Sequence, residues 1–275
     1  TAKVRLIRGD TMDLPALIAA LRDHDCDRII HLAAFLGEEV QRRPYSGVRL
    51  NYMGTVNVFE AARLEKVRRV IFPSSGTVYL GSLGEGVAKI DESIPMNPPS
   101  IYAATKAGCE FLGRAYAKRY GFEFICLRYT GGLYGPSPAA LKATREIAIQ
   151  QMIRAAVRGE PAKIHWPYGP AEILYGKDAA KGTVLAALKD KFKDTLFHIG
   201  NGVSVSGDDI VAAVRKKFPG AAIELLKGKN PMPYPESRAV ADFSRAQEQL
   251  GYEPDYPLEA AVEDYGATLK RLDRP

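Results

Sequence analysis

No apolar run in the 275-residue chain approaches the ~20 residues needed to span a bilayer. The opening Thr1-Ala2-Lys3-Val4-Arg5 has no apolar signal-peptide core. Together these absences predict a cytoplasmic protein with no membrane partner. Cysteine is scarce: Cys26, Cys109 and Cys126 are odd in number and far apart, with no CxxC pair. That excludes a disulfide framework and predicts reduced, buried thiols. The four histidines, at 24, 31, 165 and 198, form no HxxxH or HxxE unit, so no metal site is expected. Charge of one sign is not concentrated either, with 38 basic against 32 acidic residues and a net charge of +6. The densest basic runs, Arg68-Arg69 and Arg215-Lys216-Lys217, are short, and are expected as solvated groups at helix ends or in turns. Such a distribution is not a nucleic-acid footprint. A mild positive field suits an anionic cofactor or substrate without naming one. The chain has no internal repeat and no low-complexity segment.

What is there is an alternation. Apolar residues make up 46% and charged residues 25%, enough for a sizeable core. Val4–Ile7 reads as a strand, and a helix is expected over Leu14–Arg22. Arg28–Leu32 reads as a second strand. Tyr52–Glu65 reads as a helix, with apolar residues at 56, 59, 62 and 64. Arg69–Phe72 is a third strand, Tyr102–Arg119 a long helix and Phe122–Arg128 a fourth strand. Strands separated by helices of this length make βαβ units, hence a parallel sheet with helices on both faces. From about Ser137 the texture changes. A helix over Ala140–Arg158 leads into a Pro/Gly-rich stretch, Glu160–Gly176. Then come a helix over Asp178–Leu188, a strand over Leu196–Ile199, and a helix capped by Ser206 with Asp209 three residues on. Ala222–Leu226 is a strand, Pro231–Pro235 a loop, and two helices close the chain near Leu272. The expected organisation is a parallel α/β part over 1–136 and a smaller α/β lobe over 137–275, with some segments returning to the sheet.

Tyr102-Ala-Ala-Thr-Lys106 carries the chemistry. Positions i and i+4 share a helix face, so a phenol and an ammonium can meet one ligand. A phenol titrates near pH ~10, and a nearby ammonium favours its ionised form. Alone the spacing is weak evidence: a chain with 14 tyrosines and 17 lysines produces it about once by chance. Its weight comes from Pro73-Ser74-Ser75-Gly76-Thr77-Val78-Tyr79, which follows directly on a strand. Open α/β sheets gather ligands at the carboxyl ends of their strands, where a hydroxyl can orient a substrate alcohol.

These motifs, in this order, resemble those of the extended short-chain dehydrogenases/reductases, the NAD-dependent epimerase/dehydratase family. Gly9-Asp10 resembles the family's adenine-side aspartate. His31-Leu32-Ala33-Ala34 resembles the segment lining the cofactor diphosphate and ribose. Asn51-x-x-Gly54-Thr55-x-Asn57-Val58 resembles the start of the central helix. Register against Val78-Tyr79 makes Ser75 the active-site hydroxyl, and Tyr102 and Lys106 resemble the acid/base pair. Leu127-Arg128-Tyr129, Gly135-Pro136, Tyr175-x-x-Asp178, His198-Ile199-Gly200 and Leu250-Gly251-Tyr252-x-Pro254 continue the match along essentially the whole chain. The resemblance implies a doubly wound, Rossmann-type parallel sheet, with a partial dinucleotide-binding domain and the catalytic helix in 1–136 and a mainly substrate-binding lobe in 137–275, and NAD or NADP as cofactor, with NAD preferred. It implies catalysis by Ser75, Tyr102 and Lys106. Cofactor contacts would come from Asp10, Leu32, Ala33, Ala34, Asn51, Ser74, Tyr102, Lys106 and Tyr129. Thr77, Thr130, Gly131 and Arg238 are implied on the substrate side. It also implies a homodimer, through a helix whose apolar residues include Ala103, Ala107, Phe111, Leu112, Ala115 and Tyr116.

Some features depart from the family pattern. The first β-α-β unit, with its glycine-rich turn, has no counterpart here; a segment upstream of Thr1 is expected to carry it, the alternative being a true truncation. Gly81-x-x-Gly84-x-Gly86 has glycines at similar spacing, but it leads to Asp91-Glu92-Ser93 rather than into an amphipathic helix, so it is not a phosphate cradle. Family dehydratases follow the hydroxyl residue with an acidic pair, where this chain has Gly76-Thr77; dehydration is disfavoured. Thr130-Gly131 stands where nucleotide-sugar epimerases carry Phe-Asn, and Pro233 where they carry a diphosphate-gripping Arg, with Arg238 the nearest substitute. His31–Leu36 and Phe72–Ser75 look closer to L-threonine dehydrogenases and enzymes of small hydroxy acids or free sugars. Three readings follow: oxidation or reduction of a secondary hydroxyl, epimerisation of a sugar derivative through transient oxidation, or a non-catalytic NAD(P)-binding sensor or scaffold.

Overall fold

A computed structural model describes residues 4–83, 87–136, 147–166, 169–226, 228 and 239–272. The chain divides into two compact units, each assembled from separate stretches. One comprises Thr1–Ser82, Ser93–Arg128 and Thr183–Phe197; the other comprises Leu83–Glu92, Tyr129–Gly182 and His198–Pro275.

In the first unit, helix α1 (Leu14–Arg22) starts where the Asp13 side chain accepts from Ala16 N–H at 3.0 Å, with a proline in its first turn. Strand β1 (Arg28–Ile30) follows, then two short helices, α2 (Gly37–Arg42) and α3 (Pro44–Val48). A π-helical turn over Arg49–Met53 opens into α4 (Gly54–Leu64), so the regular helix begins two residues later than the sequence suggests. Strand β2 (Arg69–Ser75) is parallel to β1, with Arg28, Ile29 and Ile30 opposite Arg69, Val70 and Ile71. Strand β3 (Lys89–Ile90) lies in the second unit. Helix α5 (Ile101–Tyr120) and strand β4 (Glu123–Tyr129) complete the first unit's scaffold. Thr195, just ahead of a later strand, accepts from Cys126 N–H on β4 at 2.7 Å. The core is aromatic: Phe59, Phe72 and Phe124 pack with Val70, Cys109 and Cys126. Phe59 meets Phe124 edge-on, with ring centroids 5.6 Å apart. A Cβ at Gly113 of α5 would come within 2.3 Å of the Phe124 ring. Only glycine lets helix and sheet approach this closely.

Two expectations change here. Val4–Ile7 is not a strand, and Val4 and Leu6 are 91% and 88% exposed. Among the described residues no strand pairs with it, and a strand needs a ladder partner to form. Arg69 is not a solvated turn residue: it is 0% exposed. Its Nη1 donates to the carbonyls of Ala186, Ala187 and Lys189 at 2.7–3.0 Å, and its Nε pairs with Glu123 at 2.7 Å. The guanidinium thereby satisfies carbonyls that a helix end leaves without intrahelical donors.

The second unit begins with β3 and adds β5 (Gly132–Tyr134), β6 (Ala162–His165), β7 (Ala171–Tyr175), β8 (Leu196–Ile199, which starts in the first unit), β9 (Ser204–Val205), β10 (Ile223–Leu226) and β11 (Val240–Ala241). Strand β5 runs parallel to β7, which is antiparallel to β9; β6 pairs with β10, and β3 with β11. Helices Ala148–Arg158, Gly207–Lys217 and Leu258–Leu272 cover a core of Ile149, Met152, Ile153, Ile210, Val214, Val262 and Tyr265. The capping box is as expected, with Ser206 Oγ accepting from Asp209 N–H and the Asp209 carboxylate accepting from Ser206 N–H. The Pro/Gly-rich stretch Glu160–Gly176 is not irregular throughout, since it contains β6 and β7. Residues 140–146 of the expected helix lie outside the described residues. Ile147 is extended, so the described helix starts at Ala148. The expected loop Pro231–Pro235, Gly84, Gly86 and Arg238 also lie outside the described residues.

Candidate active site

Because β1 and β2 are parallel and in register, their carboxyl ends lie side by side. The segment after β1, Leu32–Ala34, is open to solvent at Leu32 and Ala33. The segment after β2 carries Ser75 and Thr77. Helix α5 starts at a Ser100 cap that accepts from Ala103 N–H at 3.1 Å, which fixes the first turn and with it Tyr102. The Ser75 hydroxyl hydrogen-bonds Tyr102, so Ser75 and Tyr102 come together as the motifs imply. Thr77 donates to Ser75 Oγ twice, from its backbone N–H at 3.2 Å and its hydroxyl at 3.0 Å. With Thr77 supplying donors, the Ser75 proton is directed at the phenol oxygen.

Lys106 sits one turn further along α5 and is only 7% exposed. Its ammonium donates to the Pro73 carbonyl at 2.7 Å and lies 4.8 Å from the Phe72 ring centroid. Among the described residues no carboxylate lies within ion-pair distance of it. Burial pushes the amine down to about 8. Tyr102 corrects the sequence reading in one respect. Burial raises its phenol above the usual value, and the opposing influence is the Ser75 hydrogen bond, not Lys106. The reason is geometric: the ammonium is turned to Pro73. An ammonium has three donors, and a carbonyl and a ring face leave donors for a ligand carrying adjacent hydroxyls. The residues present therefore fit the ribose end of a dinucleotide.

Other predicted residues have local duties. The Asn51 side chain brackets the Phe35 backbone, accepting from its N–H at 2.8 Å and donating to its carbonyl at 2.9 Å. It thus holds the segment that follows β1. The Ser74 hydroxyl is buried and donates to Glu110 at 2.6 Å. Asp10 accepts from Met12 N–H at 2.9 Å in the turn ahead of α1. Tyr129, Thr130 and Gly131 belong to the second unit. There Thr130 is buried and donates from both N–H and hydroxyl to Ile199. Gly131 has φ +75, and a Cβ there would meet Glu172 O at 2.5 Å, so the turn requires glycine.

Three side chains have roles that their motifs did not assign or that no motif covered. His31 is buried, with Nε2 2.9 Å from Thr55 Oγ1. Thr55 gives its one proton to the Asn51 carbonyl at 2.6 Å, so His31 must be the donor and its Nδ1 is unprotonated. Burial, reinforced by the Lys106 charge, holds this imidazole down to about 4, and it is neutral at working pH. Glu110 and Arg128 are the others. Both are buried, and they are joined by a forked pair at 2.6–3.2 Å. Glu110 stands four residues beyond Lys106, a signal visible only once Lys106 is known to face inward.

Fold and site together define the class: an NAD-dependent enzyme on a Rossmann-type α/β scaffold. The profile of the NAD dependent epimerase/dehydratase family matches residues 1–200. The chain is 26% identical to a UDP-glucose 4-epimerase of Halalkalibacterium halodurans, over 94% of this chain and 81% of that one. It is 28% identical to a dTDP-glucose 4,6-dehydratase of Streptomyces niveus, over 91% and 71%. The structure of UDP-glucuronic acid 4-epimerase from Bacillus cereus, solved with UDP-glucuronic acid and NAD, superposes with a TM-score of 0.81. That match has 27% identity and covers 99% of this chain and 83% of that one. The chain belongs to the NAD-dependent epimerase/dehydratase family, the extended short-chain dehydrogenases/reductases.

Proposed function

We propose that the chain epimerises a sugar derivative by transient, NAD-dependent oxidation of one secondary hydroxyl. The observation that carries this is the convergence of Ser75, Tyr102 and Lys106 at the carboxyl end of β2. Lys106 would hold the nicotinamide ribose, and the open backbone of Leu32–Ala34, kept in place by Asn51, would line the dinucleotide. NAD, when bound, supplies the hydride acceptor. Tyr102, in its ionised form, takes the proton of the substrate hydroxyl and becomes the neutral phenol, and Ser75, aligned by Thr77, donates to the oxygen as it becomes a carbonyl. A protonated Lys106 brought near the phenol by its ribose contacts would offset the burial that raises Tyr102. The oxidised sugar must turn within the site before Tyr102 returns the proton.

Gly76-Thr77 supports epimerisation over dehydration, because no acid follows Ser75 to protonate a leaving hydroxyl. The named relatives support a sugar nucleotide as the first substrate class to test. A second reading, net oxidation of a small hydroxy compound, is supported by Thr130 and Gly131, which are occupied by the local fold where nucleotide-sugar epimerases carry Phe-Asn. A panel of UDP- and dTDP-sugars with sub-stoichiometric NAD separates the two. Epimer formed without accumulating NADH supports the first reading. NADH formed in step with product, on a sugar or a small hydroxy acid, overturns it.

The assembly we propose is a homodimer through α4 and α5, where Phe111 is 61% exposed and Leu64 is exposed as well. A monomer by light scattering at working concentration would contradict it.

A further inference from the structure

We propose that Glu110 and Arg128 form a positioning clamp behind the Ser75–Tyr102–Lys106 site, fixing the strand-end hydroxyl segment against α5. The inference deepens the functional reading above and rests on it. Tyr102, Lys106 and Glu110 are spaced by four residues along one helix, so they form a single inward stripe. Glu110 is 0% exposed and accepts from two elements at once. Ser74 Oγ, on the strand end, donates to it at 2.6 Å. Arg128, on β4, donates through Nε at 2.9 and 3.2 Å and through Nη2 at 2.6 Å. Arg114, a turn further along α5, approaches from the rim at 3.5 Å. Arg128 reaches onward: its Nη1 donates to the Tyr79 hydroxyl, and its guanidinium lies over the Tyr79 ring at 4.6 Å.

The segment from Ser74 to Tyr79 is therefore gripped at both ends by one ion pair. Ser75 lies between the two grips. Ser74 and Ser75 are adjacent at the end of the strand, so holding the Ser74 side chain on Glu110 limits how far Ser75 can swing away from Tyr102 on the same helix. A forked guanidinium–carboxylate pair permits little rotation, which suits a positioning role.

The clamp also carries charge. The titratable groups that act on Lys106 or feel its charge are Cys109 and Glu110 of its own helix, Cys126 of β4, and His31 after β1. Burial pushes the Cys109 thiol up to about 11 and the Cys126 thiol well above its usual value. Both are neutral where Lys106 titrates, and His31 is neutral too. Glu110 is then the carboxylate that favours the Lys106 ammonium, an influence smaller than burial and partly offset by the Arg128 charge paired with it.

The test uses the full chain with Glu110→Gln, Glu110→Asp and Ser74→Ala. Two readouts are taken: the Lys106 amine titration by lysine side-chain NMR, assigned with Lys106→Met, and the pH profile of sugar turnover with NAD. Glu110→Gln keeps the shape and removes the charge. It should lower the Lys106 midpoint, move the alkaline limb of the profile with it, and cut kcat about tenfold or more. Glu110→Asp should restore most of the midpoint. Ser74→Ala should leave the midpoint in place and lower kcat with little change in the KM for NAD. If Glu110→Gln only lowers Tm, with midpoint and limb unmoved, the clamp is overturned. If Glu110→Gln does not fold, an unchanged kcat in Ser74→Ala overturns it. A shifted midpoint in a protein that turns over no sugar derivative supports the clamp while sinking the functional reading.

Discussion

Lys106 is held in a place that costs stability. Its amine sits at about 8 against an ordinary 10.5, so the unfolded chain binds the proton more tightly. The penalty is fully present below about pH 8 and fades as pH rises toward 10.5. Lys106→Met should therefore raise stability at pH 7, by up to about 3 kcal/mol, while abolishing turnover. A lower Tm in that variant would contradict this account of the site. His31 gives the matching acid-side prediction. Its value is depressed to about 4 from 6.5, so stability should be complete above pH 6.5 and fall as pH drops through that window toward 4. The loss should approach about 3 kcal/mol, and His31→Gln should flatten it, as read by denaturant melts across pH. At this scale the Tyr102–Lys106 pair was legible because its geometry is local, four residues on one helix. Glu110 and Arg128 were not, since 18 residues and a strand separate partners that only tertiary packing brings together.

Among the elements, those set by short-range pattern were the readable ones. The capped helices at Asp13, Ser100 and Ser206 begin where side-chain acceptors meet free N–H groups. Strands β6 and β7 escaped because their evidence is distant: Ala162 pairs with Ile223, and the intervening prolines and glycines read as loop. Val4–Ile7 failed the other way, with a strand's composition and no described partner. Arg69 shows why charge patterns mislead. Its neighbour Arg68 is exposed, yet Arg69 closes a helix end from inside the first unit. Arg69→Met should leave three carbonyls and Glu123 without that donor and cost about 2–4 kcal/mol in equilibrium unfolding. A change under about 0.5 kcal/mol would show that water replaces the guanidinium at no cost.

For the whole molecule, ordered motifs along the chain marked the parallel α/β fold and the family, while the division into units did not follow a single boundary. Residues 183–197 belong with the first unit and 83–92 with the second. The residues proposed to carry the chemistry lie in the first unit, at the ends of β1 and β2 and on α5. The claim there is that Tyr102 moves a proton out of a sugar hydroxyl and back again. The direct measurement is isotopic. A sugar nucleotide carrying deuterium at the carbon to be oxidised is incubated with catalytic NAD and either wild type or Tyr102→Phe. The account predicts that wild type forms epimer retaining the deuterium, with no net NADH, and that Tyr102→Phe is slower by about 10²-fold or more. Deuterium accumulating in NADH, or equal rates in the two proteins, would contradict it.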